Sequence, residues 1–311
     1  MKILYKVGTR GSRLSLVQTE LVADSIRQKN PGLRIELKVI TTAGDADQRT
    51  PLFSLDQKGI FEKEIDRAVL DGQVDFAVHS MKDVPVLDMD SGLLIASVPE
   101  RGSVIDVLVS KGDARLENLK TGSRVGTSSL LRVAQLRRAR PGVQPEPIRG
   151  NVETRIQKVD KGEFDAVVLA EAGLARLGIE GRISERLPVE DFMPAPGQGA
   201  LAVVARSDSS SVIDMLRSIE HAPTRSEIVA ERELVRILEG GCKVPVGVLA
   251  SARGDRIQMV ACIFSIDGKE KLLAKRSGHV REAVVLAKEM GEELLHGGAK
   301  KIEESWRTVY V

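Results

Sequence analysis

The feature that most constrains this chain is a turn used twice. Val7-Gly8-Thr9-Arg10-Gly11-Ser12 runs into an apolar-periodic segment carrying Leu14, Val17, Leu21, Val22 and Ile26, and Val125-Gly126-Thr127-Ser128-Ser129 runs into Leu130, Val133, Ala134 and Leu136. Both read as strand, tight turn, helix. Downstream, Gly72-Gln73-Val74-Asp75-Phe76-Ala77-Val78 and Gly162-Glu163-Phe164-Asp165-Ala166-Val167-Val168 each follow an amphipathic helix and enter a strand. The order of elements is the same and the spacing differs, so the reading is a duplicated α/β unit and not a strict repeat.

Around these landmarks, Arg34 to Thr41 alternates as a half-buried strand, Ile60 to Leu70 reads as a helix, and Val104 to Val109 and Asp165 to Ala170 read as buried strands. Val152 to Asp160 and Ala172 to Leu177 read as helices. Pro99-Glu100-Arg101-Gly102 and Pro194-Ala195-Pro196-Gly197-Gln198-Gly199 bracket the second unit, as paired crossings between two lobes would, and Ala200 to Val204 returns to the first lobe as a strand. Beyond about residue 217 the pattern becomes that of a smaller α+β domain. It reads as a helix from Thr224 to Leu238, a Gly-rich loop Gly240-Gly241-Cys242-Lys243-Val244-Pro245, strands near Val246 to Ala252 and Ile257 to Ile266, and a helix Val280 to Leu295. Arg253-Gly254-Asp255 is a hairpin turn. The expected domains are 1–98 with 200–216, then 99–199, then 217–311.

At 311 residues the chain exceeds a single core, and 42% hydrophobic content can supply two or three. Aromatics at 3% and a net charge of +2 argue against a nucleic-acid binder, so anion recognition must come from local arginine and lysine constellations. Lys6 and Arg10 interrupt the first apolar residues before a signal-peptide core develops, and no apolar run reaches membrane-spanning length. The expectation is a cytoplasmic chain with no membrane partner. Its two cysteines, Cys242 and Cys262, make neither a disulfide framework nor a four-ligand zinc site.

In open α/β sheets ligands gather where strands end and helices begin, because free backbone N–H groups face outward there. Arg10, Ser12 and Arg13 accompany the first Val-Gly-Thr turn, and Thr127, Ser128, Ser129 and Arg132 the second; Arg149-Gly150-Asn151 and Thr154-Arg155 mark another helix start. Each of these has a plain reading as a cap or a solvated charge. Their clustering at equivalent positions of both units favours an anionic ligand. His79-Ser80-Met81-Lys82-Asp83-Val84-Pro85 puts a hydroxyl, an ammonium and a carboxylate at a strand end, where Asp83 is either a catalytic carboxylate or half of a surface ion pair. With four histidines and no second ligand at metal spacing, no metal is expected. Cys242 is either a small packed residue or a thiol whose neighbour Lys243 favours thiolate, whereas Cys262 lies in an apolar strand as packing.

Taken in order, these residues resemble one family, hydroxymethylbilane synthase, also called porphobilinogen deaminase. The matches run through Thr9-Arg10, Lys58-Gly59-Ile60-Phe61, Val78 to Pro85, Gly126-Thr127-Ser128-Ser129, Arg149-Gly150-Asn151, Thr154-Arg155, Ala172-Gly173-Leu174, Gln198-Gly199 and Gly241-Cys242. The resemblance implies two α/β lobes like those of periplasmic binding proteins plus a smaller C-terminal α+β domain. It implies a transferase of tetrapyrrole and heme biosynthesis that joins four porphobilinogen molecules head to tail with loss of ammonia and hydrolyses the product to linear hydroxymethylbilane. It also implies a dipyrromethane cofactor in thioether linkage to Cys242.

The roles follow from the same resemblance. Asp83 matches the catalytic aspartate. Lys82, Ser80, Thr127, Ser129 and Arg132, with Asp83, match cofactor contacts, and Arg10, Arg149, Arg155 and Arg176 match positions that bind substrate and growing chain, with Ser12, Gln18 and Lys58 as supporters. A monomer is implied, with a functional hand-over of product to uroporphyrinogen III synthase. Two positions depart from the family pattern: Leu131 stands where the first of two arginines is common, and Ser54 where a lysine is frequent. Both remove positive charge from the cofactor side, and Arg137 and Arg138 are the neighbours that could offset it. The competing reading is a non-catalytic two-lobed binder of a small anion, which needs neither Asp83 nor Cys242.

Overall fold

The computed structural model describes residues 3–42, 63–86, 92–241 and 245–310. The chain begins with β1 (Leu4–Thr9), α1 (Arg13–Lys29), β2 (Arg34–Val39), α2 (Lys63–Leu70), β3 (Phe76–Ser80) and β4 (Leu93–Ser97). It continues through β5 (Asp106–Ser110), β6 (Arg124–Gly126), α3 (Leu130–Ala139), β7 (Gln144–Glu146), α4 (Val152–Asp160), β8 (Ala166–Ala170), α5 (Glu171–Leu177) and β9 (Glu185–Arg186). Then come β10 (Leu201–Arg206), α6 (Ser210–Arg217), α7 (Ala222–Gly241), β11 (Val246–Arg253), β12 (Arg256–Phe264), β13 (Lys271–His279), α8 (Ala283–Leu294) and α9 (Lys300–Tyr310). Two compact units result. Among the described residues the first holds 3–42, 63–86, 92–102 and 199–225, and the second 103–198, 226–241 and 245–310.

The sheet of the first unit has the order β2-β1-β3-β10-β4, with β1 parallel to β2 and β3 and with β10 antiparallel between β3 and β4. The α/β lobe of the second unit repeats this strand for strand as β7-β6-β8-β5-β9, with β5 as the antiparallel member. The expected two-lobed α/β architecture is therefore present. Backbone hydrogen bonds fix the equivalence residue by residue. Asp75 N–H donates to Lys6 O at 2.8 Å and Asp165 N–H to Arg124 O at 2.9 Å. In return the Asp75 carboxylate accepts Lys6 N–H at 2.8 Å and the Asp165 carboxylate accepts Arg124 N–H at 2.7 Å.

The repeated turn needs its glycine for close packing. A Cβ on Gly8 would sit 3.1 Å from side-chain carbons of Ile65 and Val74, and one on Gly126 would sit 2.9 Å from Ile148, because the layer beneath each sheet presses on that face. Past the turn, Ser12 caps α1 by accepting Ser15 N–H at 3.2 Å, Ser129 caps α3 by accepting Arg132 N–H at 3.4 Å, and Asn151 caps α4 by accepting Thr154 N–H at 2.8 Å. Apolar side chains of one face then close each core: Val22, Ala23 and Ile26 of α1 pack with Val7, Phe76 and Val78, and Leu136 of α3 packs with Val125, Ala166 and Val168.

The two Pro-Gly segments are tied by hydrogen bonds within each unit. Gly102 N–H donates to Gly199 O at 3.1 Å in the first unit, and Gln198 Nε2 donates to Val104 O at 2.8 Å in the second. After them β10 enters the first sheet between β3 and β4.

The C-terminal part differs from its sequence reading in three ways, the first being a further helix, α9, beyond the Val280 to Leu295 helix that was expected to be the last. Helix α7 continues through Gly240 and Gly241, so the two glycines close a helix instead of opening a loop. A third strand, β13, completes a β11-β12-β13 meander; its polar, Gly-containing end hides it from period counting. The Arg253–Asp255 hairpin turn joins β11 to β12, with Gly254 at φ +60. This sheet and α8 share a core with Leu131 and Ala134 of α3 and with Met193. Gly268 lies against α3 so closely that a Cβ would be 2.5 Å from Ala134 O, and its own φ is +74. Leu131 thus docks the C-terminal domain. Arg137 Nη1 donates to Ile266 O at 2.7 Å, and Arg138 Nη1 to Gly268 O and Lys269 O at 3.2 Å, so these arginines hold the same junction.

Candidate active site

In the first unit, β3 delivers the His79–Pro85 motif. The strand ends at Ser80 and a single 3₁₀ turn, Met81–Asp83, follows. Met81 and Val84 are buried and Lys82 and Asp83 exposed, so the turn pins its flanks in the core and presents an ammonium and a carboxylate outward. Met81 N–H donates to Ala200 O at 3.0 Å and Val84 N–H to Met81 O at 3.2 Å, which sets the turn's direction. The Gln18 amide of α1 and the Ser80 hydroxyl meet at 3.3 Å, bringing two site residues together. Ser12 is tied to α1 as its cap, and Arg10 is half-buried at the turn before it. Lys58 lies outside the described residues.

In the second unit, the turn after β6 holds Thr127, buried, and Ser129, half-buried, at the N-terminus of α3. Arg132 lies in the first turn of that helix, 9% exposed, and is bound by Asp106 along one edge: Nε to Oδ2 at 2.9 Å and Nη2 to Oδ1 at 2.7 Å. Its Nη1 donates to Val168 O at 3.1 Å, and Gln198 Nε2 also donates to Asp106 Oδ1, at 2.7 Å. Arg155 Nε donates to Gly150 O at 2.8 Å, which folds its stem over the Arg149-Gly150-Asn151 turn, and both Arg149 and Arg155 are half-buried. Arg176, in α5, is desolvated enough that burial pushes its pKa down to about 10, which leaves it charged near neutral pH. Cys242 lies outside the described residues, directly after the last residue of α7. Cys262 is fully buried in β12, and burial pushes its thiol up to about 12, which makes it inert packing.

Two residues that bond to these groups, one on a strand and one on a helix, escaped the sequence reading. Asp106 opens a strand that is buried throughout, and that single charge in a buried run is the signal. Asp66 sits in α2 with its carboxylate 2.9 Å from Nε2 of buried His79; nothing in a helix with ordinary surface charges marks it.

The donor set at α3 (two hydroxyls, a guanidinium and a helix N-terminus) suits a carboxylate-bearing group. The buried Gln135 amide, in the second turn of the same helix, has no hydrogen-bond partner at either atom. A family model described as porphobilinogen deaminase, dipyromethane cofactor binding domain, matches residues 5–214, and one described as porphobilinogen deaminase, C-terminal domain, matches residues 226–296. The chain belongs to the porphobilinogen deaminase family.

Relatives in that family agree over nearly full length. The probable porphobilinogen deaminase of Nitrosopumilus maritimus is 48% identical over 303 residues, covering 97% of this chain and 96% of its own. The porphobilinogen deaminase of Desulforudis audaxviator is 46% identical over 296 residues, covering 95% and 96%. Among solved structures, the methionine binding protein MetQ overlaps 70% of this chain and 89% of its own at 12% identity, with a TM-score of 0.46. Porphobilinogen deaminases are transferases, and the matched cofactor-binding domain spans both α/β lobes described above. Among the described residues no helix is long and apolar enough to cross a membrane.

Proposed function

We propose that this chain joins four porphobilinogen molecules head to tail, releasing ammonia at each condensation, and then hydrolyses the product to linear hydroxymethylbilane. The observation that carries the reading is Asp83, held in solvent by a turn with buried flanks, in a chain that follows the porphobilinogen deaminase pattern over nearly its whole length. Dipyrromethane, attached through a thioether to Cys242, supplies a primer with a nucleophilic pyrrole α-carbon. Lys82, Ser80, Thr127, Ser129 and Arg132 would hold its carboxylates, and Asp83 would hold its pyrrole nitrogens. Because Arg132 is bound by Asp106, a cofactor carboxylate reaches it only by sharing it.

Asp83 stabilises the positive charge that develops on the substrate as ammonia leaves, and it holds the proton that moves between steps. Each pyrrole carries an acetate and a propionate, so every addition brings more negative charge. Arg10, Arg149, Arg155 and Arg176 take up these carboxylates, with Ser12, Gln18 and Lys58 as supporting donors; charge-assisted hydrogen bonds of about 1.5–3 kcal/mol each make several contacts sufficient. Three parts divide the work: residues 1–98 with 200–216, residues 99–199, and residues 217–311. The enzyme acts as a cytoplasmic monomer that passes its product to uroporphyrinogen III synthase.

Intact-protein mass spectrometry together with Ehrlich's reagent, applied to the native protein and to Cys242→Ser, tests the reading. Added mass and colour are expected in the first and neither in the second. Active native protein without an adduct overturns the anchor, and protein that binds small anions without condensing porphobilinogen overturns the activity.

A further inference from the structure

The end of β3 is gripped from both faces of its sheet. Successive side chains of a strand point to opposite sides. Ser80 reaches the Gln18 amide of α1 on one side, and His79 meets Asp66 of α2 on the other, with Nε2 and Oδ1 2.9 Å apart. His79 is 5% exposed, and its partner's side chain is 19% exposed. The turn that carries Asp83 begins at the next residue but one.

The second lobe supplies an internal control. Gly72 N–H and Gln73 N–H donate to Val69 O and Ala68 O at the end of α2, and Gly162 N–H and Glu163 N–H donate to Val159 O and Lys158 O at the end of α4. Those matched bonds set Asp66 opposite Ile156. Likewise Leu201 pairs with Ser80 and Asp106 with Ala170, which sets His79 opposite Leu169. Ile156 and Leu169 are both buried in one apolar cluster. The same scaffold thus folds with two hydrocarbon side chains where the first lobe keeps a carboxylate and an imidazole. A buried polar pair is costly to desolvate and adds little stability over an apolar one. What it adds is direction, since a hydrogen bond fixes an angle that an apolar contact leaves soft.

We propose that Asp66 and His79 are positioning residues for Asp83: their hydrogen bond locks the end of β3 to α2 and so fixes the direction in which the Met81–Asp83 turn presents the carboxylate. This rests on the reading of Asp83 as the reacting carboxylate. Neither residue touches substrate; both act through the backbone of the strand end.

The decisive variant copies the second lobe, Asp66→Ile with His79→Leu in the full-length cofactor-loaded enzyme. It should fold and carry the full adduct mass, with kcat lowered roughly tenfold to a hundredfold, the loss that a small misplacement of a reacting group brings, and with KM nearly unchanged. Asp66→Ala should lose kcat in the same way, and Asp66→Asn, which keeps a hydrogen-bonding side chain, should recover most of it. A paired variant with parental kcat overturns the inference, as does a fall in adduct mass that parallels the fall in rate, because the pair would then serve packing or loading. Asp83→Asn is measured beside them: a parental rate there removes the catalytic reading itself, an outcome distinct from a parental rate in the paired variant alone.

Discussion

The two α/β lobes of this chain share a strand order, a glycine turn and a reciprocal aspartate bond, yet they bury different chemistry at matching positions. In the first lobe β3 ends in His79 and Ser80, held by Asp66 and Gln18, and continues into the exposed Lys82 and Asp83. In the second lobe the matching strand β8 ends in Leu169 and Ala170 and continues into a helix, α5. The antiparallel strands differ in the opposite sense. Asp106 opens β5 and binds Arg132, whereas Leu201 opens β10 and Ser15 stands in the matching turn of α1. One scaffold therefore places a buried polar pair beside an exposed carboxylate in one lobe and around a guanidinium in the other. The comparison teaches that the turn and the topology are common to both lobes, while each buried polar pair is particular to one.

The largest effect that would break this division is at Asp83. Asp83→Asn should keep its adduct mass and lose about 10²- to 10⁴-fold in kcat, the range for a lost proton-handling group; near-parental turnover would leave the first lobe without its assigned chemistry. Next comes Asp106→Asn, which strands a buried guanidinium and should cost about 3–5 kcal/mol in urea unfolding. Asp106→Leu with Arg132→Met, which makes this strand start resemble the first lobe, should regain most of that stability while carrying less adduct. A loss below about 1 kcal/mol in Asp106→Asn would mean that the pair is not the buried charge pair described.

A smaller effect sharpens what the lobes share. Asp75→Ala and Asp165→Ala each remove one carboxylate bond to a strand N–H and should destabilise by matching amounts of about 1 kcal/mol; clearly unequal melting shifts would show that the equivalence stops at topology. The smallest expected effect concerns the C-terminal domain that only the second lobe carries. Cys262 is held up near 12 by burial, above the ordinary 9.0 of an exposed thiol. The unfolded chain therefore loses this proton first, so the contribution of Cys262 to stability is whole below the ordinary value and declines as pH rises from there toward the folded one. Native Cys262 should resist alkylation at about pH 8 while the unfolded chain reacts. Rapid native labelling would contradict its place in the shared core.

Much of this fold was legible in the chain before any coordinates. The Val-Gly-Thr turns, the alternating strands and the bracketing Pro-Gly segments are local signals, and each appears where the sequence placed it, within a residue or two at its ends. The site was legible as an inventory: Asp83, Arg132 and Arg149 through Arg155 announce themselves as charges at strand and helix ends. What stayed hidden were partners. Asp66 and His79 lie on a helix and a strand with a turn between them, and Asp106 and Arg132 lie further apart still, so no single periodic element contains both members of either pair. The Gly240-Gly241 stretch misled for the opposite reason, because a local turn signal was outweighed by a long helix packed into the C-terminal core.

The sequence by itself determined the duplicated α/β units, the position of the crossings and the residue types available for anion chemistry, since these rest on periodicity and turn preference within a few residues. Only the tertiary structure decided which helix carboxylate pairs with His79, which arginine is already taken by an internal aspartate, and that Leu131 docks the C-terminal domain. Those outcomes depend on burial and on hydrogen bonds between distant segments, and both come into being only when the sheets and helices close on one another.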